Sequence, residues 1–396
     1  MIEQHFAPER RRRLTIKRGK ERVVSNRHPW IFAGAIHAEH GPEDAALADL
    51  VDPEGNRVAS GFYSRHSQVR LRGLTFGGEE LTPELIRKRV RDAVRRRGHV
   101  FRDGTTNCGR LVHAEGDDLS SIVVDRYDDV LVVEIANRGV ELLRPLIVET
   151  LREELSPRGI YFKNDLPVRA LEHLSTEGEW EGEGEPIANV LEHGLKFRVD
   201  PGEGQKTGFF LDQRENRQLA RDLSANKRVL NLFSYTGAFG VYAAAGGAAS
   251  VENVDVSAPA LEMARTNHEL NGSEATYTIA DAFQYVRRRD GSEFDLLICD
   301  PPAFAKSRHD VERAARGYKD VNLFAMRMIS PGGLMMTFSC SGHVDLDLFQ
   351  KIIFAAALDA GRRVSFVRRL SAGSDHPVSI YCPEGEYLKG FLLEVR

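Results

Sequence analysis

Cysteine is scarce in this sequence, and the cysteines that are present form no recognisable pair. Four occur in 396 residues, and no two of them are spaced as CxxC. This scarcity argues against a disulfide framework and against a zinc site, both of which need closely spaced cysteines. We therefore predict a protein that holds no metal.

Long apolar runs are also missing. No run approaches the roughly 20 residues that a helix needs to span a bilayer. Residues 8–13 read PERRRR, whereas a signal peptide would place an apolar core in this part of a chain. Hydrophobic residues still make up 42% of the sequence, which is enough for the cores of two or three domains. We expect a cytoplasmic protein without membrane contact.

The net charge of −4 conceals an uneven distribution. Residues 1–100 contain 20 Lys and Arg against 13 Asp and Glu, so this part has seven positive charges in excess and the remainder has eleven negative ones. A basic N-terminal part suits a polyanion such as nucleic acid. The alternative is an arginine-rich surface that has no such partner.

The first part of the chain predicts short strands followed by a mixed segment. Residues 14–19 and 68–72 alternate apolar with cationic side chains, as half-buried strands do. Further on, the pattern predicts helices at 81–97 and 139–154 and, between them, a hairpin at 122–133. Residues 177–185, EGEWEGEGE, predict an acidic, glycine-rich loop and a domain boundary.

Strands alternate with helices after about residue 229. Strands are predicted at 229–233, 250–254, 294–299 and 333–338, and helices at 238–245 and 258–271. This rhythm is typical of a doubly wound, Rossmann-like α/β sheet, which binds ligands at the carboxyl ends of its strands. We predict three domains, at 1–78, 79–185 and 186–396.

Candidate cofactor-binding residues follow the first three predicted strands of the α/β part. The first strand runs into FSYTGAFG at 233–240. Gly237 lets the backbone approach a ligand closely here, and the helix that follows points its N-terminal amides toward the same place. Asp255 ends the second strand, where a carboxylate can accept ribose hydroxyls. Asp281 ends the third strand.

The first turn lacks the GxGxxG motif that a dinucleotide fold would place there. A ribose carboxylate without a pyrophosphate cradle favours a nucleoside that carries no phosphate. S-adenosylmethionine fits this description, with its amino-acid end at Thr236 and Gly237, its ribose at Asp255 and its adenine near Asp281. The alternative is a sheet of the same type with ordinary turn residues.

Two reactive groups follow the next two strands. The segment DPPAF at 300–304 has a proline-stiffened backbone, a carboxylate that can hold a base edge and an aromatic ring that can stack on a flipped base. By itself this signature fits methylation of an amino group of adenine or guanine. Cys340, in FSCSG at 338–342, indicates different chemistry, because a thiolate that adds to carbon 6 of a pyrimidine makes carbon 5 nucleophilic.

The alternative for Cys340 is a small apolar packing residue, since free cysteines are commonly buried. The other cysteines are weaker candidates for a nucleophile. Cys299 precedes Asp300 within a strand, so its side chain faces the opposite way. Cys108 and Cys382 lie far from the predicted strand ends.

With these motifs the chain resembles the RlmI family of ribosomal RNA large-subunit methyltransferases, which make 5-methylcytosine. The resemblance extends over nearly the whole length. It rests on RHPWIFAG at 27–34, EGDDL at 115–119, VDRY at 124–127, KTGFFLDQREN at 206–216, FSYTG at 233–237, DPP at 300–302, RGYKD at 316–320 and SCS at 339–341. The family tends to have Pro-Gly after Leu119, where this chain has Ser120 and Ser121.

The resemblance implies a PUA domain at 1–78, which is an RNA-binding β-barrel, and a central α+β domain at 79–185 that helps to hold RNA. It implies a class I S-adenosylmethionine-dependent methyltransferase domain at 186–396, with Cys340 as nucleophile and a loop around Asp212 that closes over the cofactor. Large-subunit (23S) ribosomal RNA is then the partner, and a homodimer is a possible assembly.

The motifs and the resemblance together predict the site residues. Cys340 and Asp300 are the predicted catalytic residues. The predicted cofactor-binding residues are Gln213, Arg214, Phe233, Ser234, Tyr235, Thr236, Gly237, Asp255, Asp281, Ala282 and Asp300. The predicted contacts to substrate are Pro301, Pro302, Phe304, Arg316 and Lys319. Two other functions stay open, a guanine or adenine N-methyltransferase and a non-catalytic RNA-binding factor of ribosome assembly.

Overall fold

A computed structural model describes residues 2–288, 291, 293–305 and 307–396. Within it the chain forms two units. The first unit contains the chain up to Val190 together with Val199–Phe210 and Asp375–Gly385. The second unit contains Leu191–Arg198, Leu211–Ser374 and Glu386–Arg396.

The N-terminal part of the first unit is a six-stranded sheet. Its elements are β1 (Arg12–Ile16), α1 (Arg22–Ser25), β2 (Trp30–Phe32), β3 (Ile36–His40), β4 (Leu47–Val51), β5 (Arg57–Tyr63) and β6 (Val69–Phe76), and the strand order is β2-β6-β5-β4-β1-β3. Alternation in the sequence explains β1, because Leu14 and Ile16 are buried while the residue between them is not. The strands predicted at 14–19 and 68–72 are thus confirmed, as β1 and β6, with shifted ends.

The second part of the first unit is a five-stranded sheet with four helices. Its elements are α2 (Pro83–Arg96), β7 (Cys108–His113), β8 (Ile122–Tyr127), β9 (Val130–Ile135), α3 (Arg138–Glu141), α4 (Arg144–Leu155), β10 (Gly159–Phe162), α5 (Pro167–Leu171) and β11 (Glu179–Gly182), and the strand order is β11-β10-β9-β8-β7. The helix at 81–97 and the hairpin at 122–133 are confirmed, with Asp128 in a left-handed turn at φ 59°.

Two predictions for this sheet were wrong in part. The helix predicted at 139–154 is two helices, because the backbone leaves the helical region at Leu143 and α4 begins afresh with Pro145 in its first turn. The acidic segment 177–185 is not a loop throughout, since its middle forms β11 against β10. Arg144 explains the strand, because its guanidinium forms ion pairs with Glu179 and Glu181 and so neutralises the segment.

The second unit is built on a seven-stranded sheet. Its elements are α6 (Arg214–Leu223), β14 (Arg228–Leu232), α7 (Ala238–Ala245), β15 (Ser250–Asp255), α8 (Ala258–Leu270), β16 (Thr276–Ile279), α9 (Ala282–Arg287), β17 (Phe294–Cys299), α10 (Val311–Arg327), β18 (Ile329–Ser339), α11 (Leu346–Ala360), β19 (Val364–Ser371) and β20 (Lys389–Val395), and a hairpin of β12 (Ala188–Glu192) and β13 (Leu195–Val199) precedes them. The predicted helix at 238–245 and strand at 294–299 are confirmed residue for residue.

The strand order of this sheet, β16-β15-β14-β17-β18-β20-β19, brings the predicted site residues to one edge. The strands from β16 to β18 are parallel, and β20 runs antiparallel between β18 and β19. The order reverses between β14 and β17, and a doubly wound sheet binds its ligand at such a switch point, at the carboxyl ends of the strands.

None of the helices in the described part of the chain combines the length and the apolar character that crossing a bilayer requires. The first unit contains two separate sheets, and we propose that these correspond to the domains predicted at 1–78 and 79–185. The domain predicted at 186–396 stays a proposal in the same way.

Candidate functional site

The turn after β14 has an unusual backbone conformation at the switch point. Phe233, Tyr235 and Gly237 all have positive φ values, of 57°, 48° and 74°. Neighbouring strand ends hold the turn in this shape, because the amide of Ser234 donates to the carbonyl of Val254 at 3.0 Å. Positive φ at residues other than glycine is costly and persists where the surroundings enforce it, often at ligand sites.

Two carboxylates stand at the ends of the strands beside this turn. Asp255 accepts hydrogen bonds from the amide of Tyr235 at 2.8 Å and from the amide of Ser257 at 2.9 Å, which fixes its position at the end of β15. Asp281 is exposed and caps α9 by accepting from the amide of Gln284 at 2.9 Å. The structure thus places both acids after their predicted strands, although β16 itself ends two residues before Asp281.

We expect Gly237→Ala to destabilise the second unit by about 1–3 kcal/mol and to weaken cofactor binding. A Cβ at this position would lie 2.7 Å from the Cβ of Ala264 on α8, and φ is positive as well, so the substitution adds a collision to backbone strain. Gly247→Ala is the matched control, because its φ is 81° but its nearest neighbour is 4.0 Å away. Urea unfolding should show a clearly larger loss for Gly237→Ala, and equal losses would contradict the packing role.

A buried amide connects α6 to the DPPAF segment. Gln213 Nε2 donates to Asp300 Oδ2 at 2.9 Å, and Asn216 Nδ2 donates to Gln213 Oε1 at 2.6 Å. Because Asn216 binds the amide oxygen of Gln213, the amide nitrogen of Gln213 is the atom that faces the carboxylate of Asp300. Asp212 Oδ2 accepts from the hydroxyl of Tyr387 at 2.6 Å, and Arg214 Nη2 lies 3.2 Å from Glu215 Oε1. The LDQREN part of the KTGFFLDQREN motif is therefore tied to Asp300, after β17, and to Tyr387, just before β20.

Cys340 lies beside the same segment. It follows the last residue of β18, is partly exposed, and its Sγ is 3.9 Å from the carbonyl oxygen of Pro301. The other three cysteines are buried, and burial raises the pKa of Cys299 well above its usual value. Of the four, Cys340 is the thiol that a ligand at the strand ends could reach.

Ser341 holds the Cys340 turn against the DPPAF segment. Its Oγ accepts from the amide of Ala305 at 3.2 Å and is 2.9 Å from the hydroxyl oxygen of Tyr318 on α10. Sequence reasoning did not single out Ser341 or Tyr318 individually, because neither one's contacts are visible in local pattern.

Lys389 is a further residue that sequence reasoning missed. It opens β20, is 5% exposed, and its Nζ donates to the carbonyl oxygen of Ser341 at 2.9 Å. Burial lowers the pKa of Lys389 from its ordinary value, and negative charge at Cys340 opposes that change. The available signal was a single lysine in the otherwise uncharged run YLKGFLL at 387–393.

Comparison with known proteins decides the family. A family model described as S-adenosylmethionine-dependent methyltransferase matches residues 164–380, and one described as PUA-like domain matches residues 14–76. Curated relatives named Ribosomal RNA large subunit methyltransferase I are 43% identical in Shewanella denitrificans and 41% in Serratia proteamaculans, each covering 97% of this chain and 99% of the relative. The chain belongs to the ribosomal RNA large subunit methyltransferase I family. The predicted family and the predicted S-adenosylmethionine cofactor are confirmed.

Solved structures agree with this family fold. A structure described as a SAM-dependent methyltransferase from Streptococcus mutans matches with a TM-score of 0.82 and 22% identity, covering 97% of this chain and all of the other. A second structure, of SMU.776 complexed with SAH, matches with a TM-score of 0.83 at the same identity. Together with the two family models, these matches confirm the predicted methyltransferase fold and its N-terminal PUA-like domain.

The residues at the strand ends fit the cofactor of this methyltransferase family. Ser234 Oγ is buried and has no hydrogen-bond partner among the described residues, so a polar ligand can satisfy it. The carboxylate of Asp255 lies at the end of the next strand, where ribose hydroxyls bind in such sheets. When bound, S-adenosylmethionine supplies an electrophilic methyl group, and these residues would hold its amino-acid and ribose parts.

The predicted substrate residues differ in exposure and in their contacts. Pro302 and Arg316 are exposed, and Pro301 is buried. The ring of Phe304 packs 4.6 Å from that of Tyr318 and 5.7 Å from that of Phe283, measured between centroids. Lys319 Nζ lies 2.5 Å from Asp359 Oδ2, so this lysine has an ion-pair partner on α11.

One further cluster, in the first unit, has the composition of a metal site. The ligand atoms of His28, Cys382 and Glu384 lie within 4.8 Å of one another. However, the amide of Trp30 donates to Nδ1 of His28 at 3.0 Å, which places the proton of the neutral ring on Nε2. That nitrogen faces the carboxylate of Glu384 at 3.3 Å, so the geometry is that of a hydrogen bond between them, and the neutral His28 ring then has no free lone pair for a cation.

Proposed function

We propose that this protein transfers a methyl group from S-adenosylmethionine to carbon 5 of a cytosine in large-subunit (23S) ribosomal RNA. The observation that carries the proposal is Cys340, a partly exposed thiol next to the carbonyl of Pro301 at the strand ends. The names of the curated relatives support ribosomal RNA as the substrate. The PUA-like segment at 14–76 and the positive charge of residues 1–100 support an RNA partner.

The thiolate of Cys340 opens the reaction by adding to carbon 6 of the cytosine. A sulfur–carbon bond forms, and the electron pair of the double bond between carbons 5 and 6 makes carbon 5 nucleophilic. Carbon 5 then takes the methyl group, the bond from the methyl to the sulfonium sulfur breaks, and S-adenosylhomocysteine is the leaving group. Loss of the proton from carbon 5 then restores the double bond, breaks the sulfur–carbon bond and returns the thiolate. Asp300, which Gln213 holds by a hydrogen bond of 2.9 Å, orients the cytosine edge. The base that removes the proton is Asp300 or a water molecule.

The remaining site residues take the roles predicted for them. We assign to the cofactor Gln213, Arg214, Phe233, Ser234, Tyr235, Thr236, Gly237, Asp255, Asp281, Ala282 and Asp300. For the RNA we assign Pro301, Pro302 and Phe304 near the base, with Arg316 and Lys319 near phosphate. The homodimer stays a prediction.

Product analysis tests this proposal. Purified protein, S-adenosylmethionine and unmodified 23S RNA should yield 5-methylcytosine in nucleoside mass spectrometry, and bisulfite sequencing should place it at one position. Methylated guanine or adenine as the product would show that the DPPAF segment performs amino-group methylation instead. RNA without any new methyl group, under conditions where the protein binds S-adenosylhomocysteine, would also overturn the proposal.

A further inference from the structure

Helix α8 contacts the turn that follows β14 at two neighbouring positions. Ala264 is the first, because a Cβ added to Gly237 would lie 2.7 Å from the Cβ of this alanine. Asn267 is the second, since its Nδ2 donates to the carbonyl oxygen of Thr236 at 2.9 Å. Residues three apart in a helix lie on the same face. One face of α8 therefore lies against the turn to which we assign the amino-acid end of the cofactor.

The side chain of Asn267 uses both ends of its amide. While Nδ2 donates to Thr236, Oδ1 accepts from the backbone amide of Arg198 in β13 at 3.0 Å. Asn267 is 0% exposed, so these backbone groups take the place of water as its partners. Asparagine suits the position because its amide has both a donor and an acceptor, whereas an ionised aspartate has acceptors alone.

The bond from Asn267 fixes the peptide group between Thr236 and Gly237. This peptide is planar, and both of its polar groups are bonded, the carbonyl to Asn267 at 2.9 Å and the Gly237 amide to the carbonyl of Ser234 at 2.8 Å. The turn needs such support, because Tyr235 and Gly237 have φ values of 48° and 74° and a positive φ persists where the surroundings enforce it. Asn267 is thus part of the surroundings that hold the turn in shape.

We propose that Asn267 is a positioning residue for S-adenosylmethionine, because it keeps the peptide between Thr236 and Gly237 in the orientation that receives the amino-acid end of the cofactor. The inference rests on the proposed function, which assigns Thr236 and Gly237 to the cofactor. Asn267 is fully buried and acts through these two residues. The same side chain connects the turn to β13 through the amide of Arg198.

The next turn of α8 offers a matched control. Asn271 Oδ1 accepts from the amide of Lys196 in β13 at 2.9 Å, and its Nδ2 donates to the carbonyl oxygen of Lys196 at 2.8 Å and to that of Asn267 at 2.7 Å. Among the described residues, none of the side-chain hydrogen bonds of Asn271 goes to the turn after β14. Asn271→Ala therefore weakens the contact of α8 with β13 and leaves the bond to Thr236 in place.

Binding of S-adenosylhomocysteine to the full chain, measured by calorimetry without RNA, tests the inference. We expect Asn267→Ala to weaken this binding about tenfold, the effect of losing one buried hydrogen bond. The KM for S-adenosylmethionine in methyl transfer to 23S RNA should rise by a similar factor, and kcat should change less than about twofold, because the turn holds the cofactor equally before and during the reaction. Asn271→Ala should keep the wild-type affinity although its urea unfolding midpoint also falls.

Asn267→Asp is a second variant that preserves the size of the side chain. Its carboxylate cannot donate to the carbonyl of Thr236, so binding should be weak at about pH 8. Burial raises the pKa of a carboxyl group, and the protonated acid can donate to Thr236 while it still accepts from Arg198. The affinity for S-adenosylhomocysteine, divided by that of the wild type at the same pH, should therefore recover several-fold by about pH 6.

Three results would overturn the inference. The first is wild-type affinity in folded Asn267→Ala, and the second is an equal loss of affinity in Asn271→Ala. If Asn267→Ala does not fold, Asn267→Asp decides, and an affinity that does not recover as the pH falls is the third. The proposed function fails separately, since methylated guanine or adenine as the product would leave these binding results unchanged. Unaltered binding in Gly237→Ala would in turn refute the assignment of the turn to the cofactor.

Discussion

Cys340→Ala is expected to reduce 5-methylcytosine formation in unmodified 23S RNA by about 10⁴-fold or more. Without the thiol, carbon 5 of cytosine is barely nucleophilic, and the other three cysteines are buried. The measurement is methyl transfer from labelled S-adenosylmethionine, followed by nucleoside analysis. The loss should lie in the rate of the chemical step, because the predicted cofactor residues are intact.

Two controls test whether the loss comes from the thiol of Cys340 and not from a damaged fold. Binding of S-adenosylhomocysteine, measured by calorimetry, should be nearly the same in Cys340→Ala and the wild type, which shows that the second unit has kept its fold. Cys299→Ala removes the neighbouring buried thiol, just before Asp300, and should keep most of the activity. Full 5-methylcytosine formation by Cys340→Ala would refute the covalent mechanism. The DPPAF segment would then be the main candidate for the catalytic residues.

The sequence predicted the second unit better than the first, for a physical reason. Strands such as Phe294–Cys299 are short, apolar and bounded by turn residues, and α7 lies between two glycines. Their boundaries are therefore set by neighbouring residues, which a sequence displays directly. The same local pattern predicted that Asp300 and Cys340 each follow a strand. Parallel strands bring their carboxyl ends to one edge of the sheet, so the two residues were also expected at the same edge.

Elements that depend on distant partners were missed. β11 exists because Arg144, some 35 residues earlier, pairs with Glu179 and Glu181, and acidic residues alone predict a solvated loop. Lys389 meets the Cys340 turn only through the register of β20 on β18. Such contacts follow from tertiary pairing, which the local pattern of a single sequence does not contain.

The structure shows the backbone conformation at one position where the sequence departs from the family pattern. Ser121, where the family tends to have glycine, adopts φ of 68°. This left-handed conformation favours glycine. Serine thus adopts here a backbone conformation that suits glycine, and the amide of Ala136 donates to the carbonyl of Ser121 at 3.1 Å to hold it.

Glu192→Ala is expected to lower the free energy of unfolding of the second unit by about 3–5 kcal/mol. Glu192 and Arg217 form a two-bonded ion pair with both bonds at 2.8 Å, and the two side chains are 0% and 1% exposed. Removing the carboxylate leaves a guanidinium buried without its charge partner, which costs far more than the pair itself contributes. The hydroxyl of Tyr242 also loses its bond of 3.0 Å to Glu192 Oε1.

Urea unfolding followed by circular dichroism measures this loss, and two variants separate the causes. Asp347→Ala breaks the ion pair with Lys351, whose side chains are 76% and 69% exposed, and should cost less than about 1 kcal/mol. The double variant Glu192→Leu with Arg217→Met should recover much of the stability, because it removes both charges and leaves none unpaired. If Glu192→Ala were no more costly than Asp347→Ala, water would have to reach the guanidinium of Arg217. The pair would then not be a buried anchor for α6.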